Sequence, residues 1–160
     1  MNQVFAIALA QAPGNAFSAF SVAALVLVFV IALFAAVAYS AKHVRFDLAP
    51  EGLRIRGDMY GRLVPAESLV PSEAREINLD GDSPYELAVR TNGIGLPGYK
   101  SGWFRLSNGE KALVFLTDTS RVVYIPTMEG YSLLLSPGDP AAFIAGLRTN
   151  SSATYPAASK

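Results

Sequence analysis

Cysteine is absent from this 160-residue chain. That excludes disulfides, thiolate metal sites and a cysteine nucleophile. Histidine occurs once, at His43; no histidine–carboxylate cluster has metal-ligand spacing, and no G-x-S-x-G elbow is present. Charge is missing from the first 41 residues; all 13 Lys+Arg and all 13 Asp+Glu lie from Lys42 onward. Their sum is zero, which gives no basic field for nucleic acid. The sequence therefore gives no footing for an enzyme, for a cofactor or metal site, or for a nucleic-acid binder.

What fills the uncharged part is hydrocarbon. Residues 17–41 read FSAFSVAALVLVFVIALFAAVAYSA, apolar without a break from Val22 to Tyr39. At about 1.5 Å per residue, a helix of this length covers a hydrocarbon core of roughly 30 Å. Only a helix satisfies its backbone in lipid, so the expectation is a single-pass transmembrane helix over 17–41. Residues 1–16 become a short extracytoplasmic stub. Ala8-Leu9-Ala10 resembles a cleavage site, but no positive n-region precedes it. Lys42 and Arg45 follow the helix at once, with Arg54, Arg56 and Arg62 beyond, and no cation precedes it. The positive-inside rule puts the amino terminus outside and the domain in the cytoplasm. Ala32, Ala36 and Ser40 share an i, i+4 ridge. That spacing allows a homodimer seam, or is simply alanine-rich filling.

From Val44 the hydrophobic period becomes two. Val44, Phe46 and Leu48 alternate with Arg45 and Asp47, and Leu53 and Ile55 alternate with Arg54 and Arg56, around Ala49-Pro50-Glu51-Gly52. This predicts a hairpin with one wet face, tethered to the helix with almost no linker. Further strands are expected at 61–65, 75–79, 85–89, 103–106, 111–116, 121–125 and 131–135, with a loop over 91–102 and a helical turn at 66–70. The stretch 111–116 is apolar on both faces and reads as central. Asp139 caps a short amphipathic helix that starts at Pro140 and buries Phe143, Ile144 and Leu147. The Ser/Ala/Thr-rich tail 149–160 reads as disordered.

Gly93-Ile94-Gly95-Leu96-Pro97-Gly98 matches G-x-G-x-x-G formally, but a strand pattern follows where a dinucleotide site needs a helix, so the motif reads as a structural loop. Arg90, Asn92, Tyr99, Lys100, Trp103 and Arg105 fall on or beside that loop and form the candidate partner-binding set. Lys42, Arg45, Arg54 and Arg56 form a second candidate, a basic stripe suited to anionic lipid headgroups. Core packing of Trp103 and a merely solvated strand face are the plainer alternatives.

NGIGLPGYKSGWFRLSNGEKA (92–112) and YSLLLSPGDPAAF (131–143) resemble characteristic segments of the bacterial pleckstrin-homology-like (PH-like) domain family. The resemblance extends over about 44–148 and fits more loosely upstream of Leu79. It implies a mainly-β domain over 42–148: a partly open barrel of two orthogonal antiparallel sheets capped by the C-terminal helix. It also implies a non-enzymatic binding scaffold, often membrane-anchored. The expected function is recruitment or scaffolding of a protein partner at the cytoplasmic face. The alternative is sensing of anionic lipid.

Overall fold

The computed structural model describes residues 15–81 and 83–154, without the side chains at 15–19, 37, 38, 40–43 and 151–154. The stub 1–14, Asp82, and the side chains of Ser40, Lys42 and His43 lie outside the described residues, as do 155–160. The chain divides into two compact units, the first ending at Val37 and the second beginning at Ala38.

The first unit is built on α1, which runs Asn15–His43 over 29 residues and takes in the whole apolar stretch. Its described large side chains stand exposed; Phe20 is 76% and Leu25 71% accessible. They run continuously only over 20–36. Among the described residues no helix is long and apolar enough to cross a membrane. Towards its two ends, at 15–19, 37, 38 and 40–43, only the helix backbone is described.

The second unit is mainly β, with two sheets and a C-terminal helix. A three-stranded sheet is ordered β1-β2-β3 (Arg45–Ala49, Gly52–Arg56, Leu63–Pro65). Phe46 pairs with Ile55 and Asp47 with Arg54, so the period-two pattern becomes the expected hairpin, turning at Pro50-Glu51. One-turn helices at Ala66–Ser68 and Pro71–Glu73 lead to the second sheet. Its strands are β4 (Arg75–Ile77), β5 (Leu87–Leu96), β6 (Tyr99–Leu106), β7 (Lys111–Leu116), β8 (Val122–Pro126) and β9 (Ser132–Leu135), ordered β4-β8-β9-β7-β6-β5.

That second sheet is covered on both faces, and the alternation of its strands says how. Leu113, Phe115, Val123, Ile125, Leu133 and Leu135 point to one face, against Leu53, Ile55 and Val64 of the small sheet and Leu147 of α2 (Pro140–Thr154). Ala112, Val114, Leu116, Val122, Tyr124 and Leu134 point to the other, where Leu79, with Ile77, Tyr85 and Leu87 beside it, closes the layer. The central reading of 111–116 follows from this: β7 has apolar neighbours on both sides. Asp139 caps α2 as expected, its Oδ1 accepting the Ala142 N–H at 3.0 Å.

Three expectations need correction. The glycine-rich 91–102 is no loop; β5 and β6 form a long hairpin through it, turning at Pro97-Gly98. Gly98, at φ 75°, supplies the positive φ that a type II turn needs after proline. Gly93 is there because a Cβ would stand 2.3 Å from the Ser101 carbonyl oxygen, closer than side chains allow. Secondly, the sheets are not wholly antiparallel. β9 hairpins back from β8 and slots between β8 and β7, so it runs parallel to β7. The 117–121 connection therefore has to step across the width of an intervening strand, roughly 10 Å in all. Thirdly, α2 runs on to Thr154, through the first part of the tail read as disordered.

Candidate functional site

The β5–β6 hairpin carries the six residues of the partner-binding set, and its pleat sorts them onto two faces. Asn92 pairs with Trp103, and these share the face of Tyr99 and Arg105; Arg90 pairs with Phe104 and lies with Lys100 on the opposite face. The set is one segment in sequence and two surfaces in space.

On the first face Trp103 is half-buried. Its ring meets Tyr131 edge-on, with centroids 5.1 Å apart. Lys111 Nζ lies 4.2 Å and the Arg62 guanidinium 5.2 Å from the Trp103 centroid, both in cation–π range. Arg105 sits directly opposite Lys111 across the β6–β7 ladder and donates to the Gly109 carbonyl at 2.8 Å. Among the described residues none of Arg62, Arg105 and Lys111 has a carboxylate within ion-pair distance. Glu110 turns to the other face, accepting from the hydroxyls of Tyr124 and Ser132. Glu129 accepts from Ser68 at 2.5 Å. Exposed Met128 lies in the turn before Tyr131, and exposed Val89 pairs with Arg105. Aromatic, Met and Arg side chains gathered this way have the composition of a protein-contact surface.

Tyr99 does not join that surface. It is only 4% exposed, and its hydroxyl donates to Asp58 Oδ2. Asp58 Oδ1 also accepts the Ser101 hydroxyl at 2.7 Å and the Tyr60 N–H at 2.7 Å. The Tyr60 hydroxyl donates in turn to Asn92 Oδ1 at 2.9 Å. The β2–β3 connection is thereby strapped onto the hairpin, and it carries Arg62 to Trp103. Burial, and then the Asp58 hydrogen bond, hold the Tyr99 phenol well above its ordinary range. No local pattern marks Asp58, because its partners lie 41 and 43 residues away. Tyr99 and Ser101 falling on one strand face was the available clue.

The opposite face opens into a groove of about 740 Å³ at the hairpin tip, lined by Gly95, Pro97, Gly98, Lys100, Thr117 and Asp118 among others. Asp118 is engaged there by the Ser120 N–H at 2.8 Å and hydroxyl at 2.7 Å, and its carboxyl is held below its ordinary range by those bonds. Among the described residues no three His, Cys, Asp or Glu converge as metal ligands.

The basic stripe is brought together on the wet face of the β1–β2 hairpin, but as a checkerboard. Arg45 is opposite Arg56 and Asp47 opposite Arg54. Arg56 pairs with Asp47 at 3.1 Å and Arg54 with Glu51 at 3.6 Å. Lys42 lies outside the described side chains.

Two sheets and a closing C-terminal helix fit a PH-like fold. The family model of the bacterial PH domain matches residues 44–151, and the chain belongs to that family. No curated protein and no solved structure matches it. The family resemblance points to a non-catalytic binding module.

Proposed function

We propose that this chain is a membrane-anchored, non-enzymatic module that recruits or scaffolds a protein partner at the cytoplasmic face of a bacterial inner membrane. The observation that carries the binding part is the Trp103 surface. An indole flanked by Arg62 and Lys111, with Arg105 beside them and no facing carboxylate among the described residues, is an aromatic patch whose positive charge is left uncompensated. It becomes favourable when a partner covers the ring and supplies counter-charge. Anchoring is supported by α1, an uncharged stretch ending only at Lys42, whose described apolar side chains are exposed. Exposed hydrocarbon on that scale calls for lipid or for a covering partner. The cations after it favour a cytoplasmic domain.

The lipid-sensing alternative draws less support. With Arg54 and Arg56 ion-paired, each cation gains little of the roughly 1 kcal/mol that a free one gains at an anionic surface.

A photo-crosslinking residue at exposed Val89, in cells making the full chain, tests the reading. A discrete protein adduct in the membrane fraction, lost on Trp103→Ala, is expected. Absence of any adduct, or one indifferent to Trp103→Ala, would contradict it.

A further inference from the structure

Among the described residues, β5 is the longest strand of the β unit with a neighbour on one side only. β5 ends the six-stranded order, pairs only with β6, and is ten residues long, against three each for β4 and β3. Exposed strand edges are usually blunted by bulges, proline or brevity. Here register shifts between Leu87 and Val89 and between Arg90 and Asn92 blunt only the first part. From Asn92 to Leu96 the register with Trp103 to Tyr99 is unbroken, and among the described residues no further strand lies beyond. At Gly95 the missing side chain leaves room for Arg90, whose guanidinium would stand 3.2 Å from a Cβ there, so this cation lies over the 92–96 stretch.

Cations stand beside this edge on both faces. Arg90 and Lys100 lie on one and Arg105 on the other, and among the described residues none has a carboxylate within ion-pair distance. A strand added to β5 lies about 10 Å from β6, within the combined reach of an Arg or Lys and a Glu side chain. Its side chains alternate between the two faces, so acidic residues along it would meet Lys100 and Arg90 on one and Arg105 on the other.

We infer that the partner binds by strand addition, an extended acidic segment pairing its backbone with residues 92–96 of β5. This rests on the protein-binding reading and names the chemistry of what binds. It also explains why one hairpin carries the candidate residues on two surfaces: both flank the same edge.

The probe is a fluorescent peptide of about ten residues alternating Glu and Thr, enough to cover the strand. It is titrated onto the full chain in detergent, with a Lys/Thr peptide as the control. Amide hydrogen exchange is followed across β5, with the β7 amides reporting that the fold is intact. Saturable binding of the acidic peptide with slowed exchange at 92–96 is expected, along with about tenfold weakening in Arg90→Glu/Lys100→Glu. Acidic-peptide binding without protection of β5, equal binding of the lysine peptide, or no binding would each overturn strand addition. If the Trp103-dependent adduct persisted in those cases, the protein-binding reading would stand without it; if the adduct were also missing, both would fall.

Discussion

Replacing Asp58 by Ala should unfasten the strap that holds the β2–β3 connection on the hairpin. The carboxylate accepts from three donors, two of them buried: the Tyr99 hydroxyl, on a residue 4% exposed, and the Ser101 hydroxyl, on one 0% exposed. A buried hydroxyl left without its partner costs about 1–3 kcal/mol. The Tyr60 N–H, on the outer side, can rehydrate. The expected loss is therefore about 3–4 kcal/mol, or roughly 15 °C in Tm for a domain of this size. Asp58→Asn keeps one acceptor oxygen but not the charge, and should lose only about 1–2 kcal/mol. Removing the stranded donors as well, in Asp58→Ala/Tyr99→Phe/Ser101→Ala, should recover part of the loss, because deleting both partners of a bond costs less than deleting one. Trp103, the only tryptophan, reports denaturant unfolding of the full chain in detergent. An Asp58→Ala variant within 0.5 kcal/mol of the parent, or a triple variant no more stable than Asp58→Ala, would refute the reasoning.

Gly93→Ala should cost about 2–3 kcal/mol by forcing a methyl against the Ser101 carbonyl, whereas Gly138→Ala, with nothing within 4 Å, should be neutral; the same unfolding curves separate them. Asp139→Ala should cost about 1 kcal/mol by freeing the Ala142 N–H, seen as a lower melting midpoint. Tyr99, Tyr124 and Tyr131 all have phenols raised above 10.0, chiefly by burial. The folded chain thus keeps protons that the unfolded chain loses, so their contribution is fully present below pH 10 and declines as pH rises above it. The tyrosinate absorbance of these three should consequently appear in step with unfolding on the alkaline side. Ionisation of these three in a still-folded chain, at the ordinary phenol pH, would contradict their burial.

The elements that period two describes were legible in the sequence. The 45–56 hairpin and the doubly apolar β7 follow directly from which residues alternate and which do not. The Asp139 cap was equally plain, because capping is local. The 91–102 segment was misleading because glycine signals both loops and close strand approach, and the Ser101 carbonyl beside Gly93 comes from the neighbouring strand. The parallel β7–β9 pair and the Asp58 strap depend on contacts between distant parts of the chain, which no local pattern encodes. For the same reason the candidate set looked like one patch. Sequence proximity placed Arg90 beside Asn92, while the bulge and pleat put them on opposite faces.

Membrane anchoring with the domain in the cytoplasm is the claim on which recruitment depends, and the lack of native cysteine makes it directly measurable. Ala145→Cys, on the exposed side of α2, can be probed with a membrane-impermeant maleimide in intact cells, after permeabilising any outer membrane, and after lysis. The account predicts that the chain fractionates with membranes and is labelled only after lysis. Labelling before lysis, or recovery of the chain with the soluble fraction, would contradict it.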